Sequence, residues 1–278
     1  MFTLEILCVG NELLSGIIIN TNAHWISNKS TESGGLVKRI TVVGDAVNEI
    51  ASAVKESIAR VPNWLILSGG LGPTYDDKTL QGIAIGLDTD LVLDKRAVKM
   101  LRKSYARRSM NCELDEVRLK MARIPRGSIP IQNPIGTAPS VLVETNPDKT
   151  KIICLPGVPK EMKAIFLESV LPQIKNTIGD FYLKEGSFEV TAVSEAMLAP
   201  MLLELVESNP TDYTYIKTHP QEYSRGDKPR LRIQLVAKGN DKNEVEMRYN
   251  NICNTLIEEI RRLKGEINQV GCLKIRYV

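Results

Sequence analysis

Over roughly the first 170 residues, short β-branched apolar runs alternate with stretches whose apolar positions recur every three or four residues. That is the pattern of a parallel sheet covered by helices. Residues 4–9 predict a buried strand ending at Gly10. Residues 22–30 set Trp25 and Ile26 among polar neighbours and predict a helix, closed by the Gly34-Gly35 pair. A second strand is expected at 36–43, then a helix at 48–60 with Ile50, Val54 and Ile58 on one face. Residues 64–67 form a third, short apolar strand that runs straight into glycines. Residues 140–144 and 151–155 predict a strand pair across an Asn146-Pro147-Asp148 turn, and Pro159 opens a helix expected to reach about Leu171.

Beyond that helix the rhythm changes. The mixed stretch from Leu171-Pro172 to Gly186 marks a boundary, giving domains at 1–172 and 180–278. The second domain predicts a strand at 188–193, a helix from Ser194, strands near 213–218 and 230–237, and a closing helix at about 242–263. This is a small α+β unit rather than more of the same sheet. Neither an internal repeat nor a low-complexity tract is visible.

Composition narrows the class. The 278 residues are 43% apolar and 25% charged, which fits a globular protein and excludes general disorder. Lys+Arg 36 against Asp+Glu 33 leaves +3, too balanced to imply a nucleic-acid or membrane partner. The opening residues lack a basic region and Glu5 breaks their apolar run, which speaks against a signal peptide. No segment approaches the ~18 uninterrupted apolar residues of a membrane span. The five cysteines are widely spaced with no CxxC pair, so reduced thiols in a cytoplasmic protein are expected, not a zinc ribbon or disulfide framework.

The chemistry concentrates at Ser68-Gly69-Gly70-Leu71-Gly72-Pro73-Thr74-Tyr75-Asp76-Asp77-Lys78-Thr79, which leaves a strand and enters a helix expected to begin near Asp77. Three glycines let backbone approach a ligand closely, and a following helix start points free N–H groups at it, which suits a phosphate or pyrophosphate. A plain βα turn would use glycine just as freely. Asp76 and Asp77 add information, because adjacent carboxylates repel a phosphate unless a cation lies between, and Mg²⁺ is commonly held by one or two carboxylates plus substrate phosphates. Asp77 is also a candidate helix cap. Glu12 after the first strand and Asp45 after the second fall on the same sheet edge, where open parallel sheets bind ligands. Each acid taken singly is explained by solvation; their meeting on one edge is the signal.

Six blocks in order carry a resemblance to a known family. They are Gly10-Asn11-Glu12-Leu13-Leu14-Ser15-Gly16, Asn20-Thr21-Asn22-Ala23, Gly44-Asp45, Gly69 to Thr79, Asn133-Pro134-Ile135-Gly136-Thr137-Ala138-Pro139, and Leu155-Pro156-Gly157-Val158-Pro159-Lys160-Glu161-Met162. Together they resemble the N-terminal domain of CinA proteins, within the molybdopterin-binding superfamily, over about residues 1–172. The resemblance implies a three-layer α/β/α fold with a mostly parallel sheet, and metal-dependent hydrolysis of the pyrophosphate of ADP-ribose to AMP and ribose 5-phosphate. It implies a divalent cation (Mg²⁺, Mn²⁺ or Co²⁺), with or without a monovalent one, on Glu12, Asp45, Asp76 and Asp77. Gly69, Gly70 and Gly72 would hold the pyrophosphate, with Thr74, Thr79, Gly157 and Arg108 nearby. Asn20 would orient water or metal, Asn133, Gly136 and Thr137 would line the opposite wall, and Lys160 would offset leaving-phosphate charge. The later part resembles the KH-type domain of CinA proteins through residues 194–199, but it has no GXXG clamp and balanced charge, so self-association as a homodimer is expected of it rather than RNA binding. No counterpart of the CinA amidase domain follows, so nicotinamide mononucleotide deamidation is not implied.

The rival function is molybdopterin adenylyl transfer, whose enzymes resemble Gly-Gly-Thr-Gly followed by Arg-Asp-x-Thr. Here Leu71 replaces the Thr and Asp76 the Arg, while Asp77 and Thr79 are retained. A phosphate-pairing cation has become an anion that needs a metal, which favours the hydrolase. A nucleotide-binding protein without turnover is the third reading. His24 and His219 fall in different domains, which argues against histidine catalysis; His24 is expected on its helix surface. Cys8 and Cys154 read as core residues, Cys112 as an exposed thiol, and the basic helix from Lys95 to Arg108 as a solvated face from which Arg107 or Arg108 could clamp a phosphate. The stripe Ile252, Leu256, Ile260 and Leu263 either packs on its own sheet or meets a second copy.

Overall fold

The computed structural model describes residues 2–108, 113–145, 150–209, 213–222 and 227–277, those from 268 onward as backbone only. The chain divides into two compact units, 1–177 and 178–278. The first contains β1 (Thr3–Val9), α1 (Asn11–Leu14), α2 (Thr21–Glu32), β2 (Leu36–Val43), α3 (Val47–Ala59) and β3 (Trp64–Ser68). It continues with α4 (Thr79–Gly86), β4 (Leu91–Leu93), α5 (Lys95–Arg107), α6 (Glu116–Leu119), β5 (Arg123–Pro125) and β6 (Ile129–Ile131). β7 (Ser140–Glu144), β8 (Lys151–Leu155), α7 (Pro159–Ile165) and α8 (Leu171–Ile178) complete it.

The central sheet has the order β2-β1-β3-β8-β7-β6. The first four strands run parallel, with Ile6 paired to Ile40 and Ile66, and Ile66 to Ile153; β7 alone is reversed, pairing antiparallel with both β8 and β6. Helices cover both faces, so the inner strands need apolar residues at successive positions, and all five residues of β3 are buried. On one face, Leu7, Leu65, Leu67 and Ile152 pack with Ile50 and Val54 of α3, Ile83 of α4 and Leu101 of α5. On the other, α2 lies against β1 and α7, with Trp25 edge-on to Phe166 at 5.4 Å. This is the expected three-layer α/β/α fold. β4 and β5 form a separate antiparallel ribbon.

Two boundaries differ from expectation. The helix after the glycine loop starts at Thr79, preceded by Lys78 without a side-chain cap, so Asp77 belongs to the loop and is not a helix cap. The helix opened by Pro159 does not stop near Leu171: a π-helical turn at Phe166–Val170 joins it to α8, which ends at Ile178. Pro172 has no N–H to donate and its ring crowds the preceding turn, and the wider turn just before it lets the helix proceed.

The second unit holds β9 (Tyr182–Thr191), α9 (Glu195–Ser208), β10 (Thr214–Pro220), β11 (Arg230–Gly239), α10 (Lys242–Arg262) and β12 (Glu266–Tyr277). Its sheet runs β10-β11-β9-β12 with antiparallel pairing throughout. β9 begins before the expected residue 188, and the closing strand β12 had no sequence forecast. Ile252, Leu256 and Ile260 pack with Phe188, Ile233 and Leu235, and Leu263 adjoins that core. The stripe is covered by its own sheet and so lends no support to the expected homodimer. Among the described residues, no helix is long and apolar enough to cross a membrane.

Candidate functional site

β1 lies between β2 and β3, so the chain winds to one side of β1 and then crosses to the other. That reversal opens a crevice at the carboxyl ends of the strands, the usual ligand position in open α/β sheets. A cleft of about 490 Å³ occupies it, entirely within the first unit. Its floor carries Cys8 and Ser68, which are paired across β1 and β3. Gly69, Gly70, Leu71, Gly72 and Pro73 form one wall, and Pro156, Gly157 and Val158 after β8 form another.

The glycine loop is pinned on three sides. Gly69 donates to the Leu155 carbonyl at 3.0 Å, and its own carbonyl accepts from Thr79 Oγ1 at 2.8 Å. Its φ is 108°, and a Cβ there would collide with the Val9 carbonyl oxygen, so β1 tolerates only glycine at this position. Opposite the loop, Asn20 caps α2, its Oδ1 accepting from the Ala23 N–H at 3.1 Å. Asn22 Nδ2 donates to Ser68 Oγ at 2.9 Å and to the Gly157 carbonyl at 2.8 Å, tying α2 to both β3 and the β8 loop.

The charge in this cleft has one sign. Glu12, Asp45, Asp76, Asp77 and Glu161 line it, and no lysine, arginine or histidine does so among the described residues. Asp45 Oδ2 accepts from the Asn11 N–H at 3.0 Å, which draws the second strand's acid beside Glu12. Asp76 and Asp77 converge on Thr74: its hydroxyl bonds Asp76 Oδ1, lies 2.5 Å from Asp77 Oδ2, and its N–H reaches that same Oδ2 at 2.9 Å. One hydroxyl proton cannot serve two carboxylates. The Thr74 hydroxyl, then the Asp76 N–H and the charges of Lys120 and Lys78, hold the Asp76 carboxyl below its ordinary 3.8. Burial pushes the Cys8 thiol up, opposed by a hydrogen bond with Asn20, so it stays a protonated thiol rather than a nucleophile.

Of the residues expected at the site, Glu12, Asn20, Asp45, Gly69, Gly70, Gly72, Asp76, Asp77, Thr137 and Gly157 line the cleft. The others stand outside the lining, for identifiable reasons. Thr74 and Thr79 are engaged in holding the loop itself. Asn133 is fully buried: its Nδ2 donates to the Ala138 carbonyl and Glu161 Oε2, and its Oδ1 accepts from the Ile135 and Gly136 N–H groups. Gly136 is buried with it and closely faces Glu161. Arg108 donates to the Ile135 carbonyl and Arg107 to those of Asn133 and Gly136, so both fasten this loop instead of facing the cleft. Lys160 is exposed one position away from Glu161, which faces inward. Asn20 has its oxygen engaged in the α2 cap and its side chain hydrogen-bonded to Cys8. Cys112 lies outside the described residues; Cys154 is buried and His24 exposed, as expected.

Sequence reasoning missed Glu161, Asn22, Ser68 and the isoleucines at the cleft mouth. Glu161 was detectable as an acid in the first turn of a helix that follows a sheet strand, where the helix N-terminus favours a carboxylate. Among the described residues, no three His, Cys, Asp or Glu side chains converge as a ready cation cage.

The fold and cleft define an α/β domain with its cleft at a topological switch point, followed by a small α+β unit. Residues 5–176 match the family described as the probable molybdopterin binding domain, and the chain belongs to that family. It is similar to a protein of Metallosphaera sedula, 40% identical over 270 residues, which are 97% of this chain and 98% of the relative. A protein of Saccharolobus solfataricus is 40% identical over 263 residues, covering 95% and 93%. The crystal structure of the protein CinA from Thermoplasma acidophilum, described as of unknown function, is 41% identical with a TM-score of 0.55 and covers 62% of this chain and 98% of that one. The first unit is CinA-like, as its six blocks indicated.

Proposed function

We propose that the cleft binds a phosphorylated, nucleotide-like small molecule through a divalent cation and hydrolyses its pyrophosphate, ADP-ribose being the first substrate to try. The observation that carries this reading is the all-acidic lining beside the loop of Gly69, Gly70 and Gly72. Five carboxylates would repel a pyrophosphate in the absence of a cation. Asp76 and Asp77, crowded on one hydroxyl, would hold the cation, with Glu12 and Asp45 elsewhere on the same lining and able to act on it only through water. When bound, such a cation neutralises phosphoryl charge and lowers the pKa of water. The chain supplies the rest: with the Gly69 N–H held by the Leu155 carbonyl, Gly70 and Gly72 would place their backbone against the phosphates, and the N-terminus of α2 adds positive potential at Thr21 and Asn22.

Membership of the probable molybdopterin binding family favours a second reading at the coarser level, a pterin-type ligand in the same cleft. The two are separated by an assay of the purified protein against ADP-ribose, NAD, FAD and ATP, with Mg²⁺, Mn²⁺ or Co²⁺ and with EDTA. The hydrolase reading expects AMP and ribose 5-phosphate from ADP-ribose only with metal present. Full turnover in EDTA would remove the role given to the carboxylates. Adenylylation of molybdopterin from ATP, with no pyrophosphate hydrolysed, would establish the second reading instead.

A further inference from the structure

The near-balanced net charge conceals how unevenly the first unit carries it. From Lys95 to Arg126 the sequence has eleven lysines and arginines against three acids, although the whole chain is only +3. Helix α5 and its C-cap residue hold seven of those cations and no acid. Arg96 is engaged by Asp94, and Arg107 and Arg108 by the carbonyls of the 133–136 loop. Lys95, Lys99, Arg102 and Lys103 are exposed, and among the described residues none of the four forms an ion pair. Their spacing puts them on one arc of the helix, turned away from the side on which Ala97, Leu101, Ser104 and Tyr105 are buried.

This arc works against its own helix. The first turn carries Lys95 and Arg96 and no acid, at the end where the helix dipole favours carboxylates. Lys95 with Lys99, and Lys99 with Lys103, are like-charge neighbours four residues apart, which repel. A surface that serves solubility alone interleaves both signs. A stripe of one sign, kept where the helix is weakened by it, fits an external counter-charge.

We propose that the Lys95–Lys103 face of α5 binds the phosphate backbone of duplex nucleic acid without regard to sequence. The four cations span about 12 Å of a rigid helix, a length over which a duplex presents roughly seven phosphate charges. The single aromatic residue of α5, Tyr105, is buried, so the helix offers no ring on which a base could stack. The arc continues into Ala106, too small to anchor in a lipid surface, which separates this face from basic helices that seek membranes. None of the four cations lines the acidic cleft, so the assignment stands apart from the function proposed for that cleft.

The test is fluorescence anisotropy of the full-length protein with labelled DNA duplexes of two unrelated sequences, in EDTA and from about 50 to 200 mM salt. The wild type is expected to bind both alike, with log K falling against log salt at a slope of about −3 to −4, near one counterion per cation. Lys95→Gln/Lys99→Gln/Arg102→Gln/Lys103→Gln should weaken binding at least about tenfold at the lowest salt and flatten the slope by about three. Its melting temperature should hold or rise, because like-charge repulsion is relieved. Lys95→Arg/Lys99→Arg/Lys103→Arg should bind as the wild type does. Absence of duplex binding at the lowest salt, or binding that the Gln variant retains in full, would overturn the proposal. So would a preference of about tenfold for one duplex, which requires base contacts that this face does not make. Polyglutamate bound as tightly as the duplex would assign the stripe to an acidic protein, and anionic phospholipid vesicles bound as tightly would assign it to a membrane surface; either result overturns the proposal.

Discussion

At Asp76 the charge logic of the cleft comes down to one side chain. Asp76→Asn removes one of the two carboxylates that crowd the Thr74 hydroxyl, and the residue is only partly buried, so the fold has little to lose. Mg²⁺ affinity is expected to fall roughly ten- to hundredfold, with stability unchanged within about 0.5 kcal/mol; metal titration and melting of the one variant read both. The carboxyl is held below its ordinary 3.8, so it remains charged at every pH above that. Its share of cation binding should persist through about pH 5 and disappear only as pH falls through the depressed value. A second residue-scale prediction concerns Glu5, buried on β1, which accepts from Arg60 Nε and Nη2 at 2.7 Å and from Ser57 Oγ at 2.8 Å. Burial raises its carboxyl, but the bonds from Arg60 and Ser57 outweigh that and hold it below 4.5. A depressed carboxyl stabilises the fold above its unfolded pKa and loses that contribution as pH falls through the folded value. Arg60→Ala should therefore cost about 1–3 kcal/mol near neutral pH, discounted for the exposed guanidinium, with the gap to wild type closing below about pH 4 in thermal melts. Residues of this kind were partly legible in advance: acids at strand ends follow from topology, whereas Glu5 read only as an interruption because its partner stands 55 positions away.

Elements were most legible where one period dominated. β1, β2 and β3 and the helices between them were read because a parallel sheet demands continuous apolar runs flanked by amphipathic turns. β4, β5 and β6 have three residues each, too short to show any period. β9 was read late because Lys184, Glu185 and Gly186 interrupt its early alternation. The loop at 133–138 shows what sequence cannot reveal: its motif looked like ligand-binding residues, and the structure uses it mostly as a brace. Asn133 alone satisfies two backbone N–H groups, one carbonyl and Glu161. Asn133→Ala would strand the buried Gly136 N–H and free Glu161, and should cost about 2–3 kcal/mol in urea unfolding. Ligand affinity should fall with it, because Thr137 and Ala138 reach the cleft from that brace.

For the whole molecule, the division into two units is a statement about where chemistry resides. Every residue lining the cleft belongs to the first unit, and each unit has its own buried core. The second unit's apolar stripe, which a sequence alone leaves free to seek a partner, is satisfied by Phe188, Ile233 and Leu235 at home. Its composition is balanced in charge and contains no GXXG clamp, so it should not bind single-stranded RNA in a salt-sensitive way. Residues 1–177 expressed alone should therefore fold cooperatively and retain cation-dependent affinity for α,β-methylene-ADP within about threefold of the full chain, a difference under 1 kcal/mol. Calorimetry on the two proteins side by side decides it. A loss of a hundredfold with the truncated protein still folded would mean that the second unit shapes the ligand site, and that the cleft residues of the first unit do not suffice for binding.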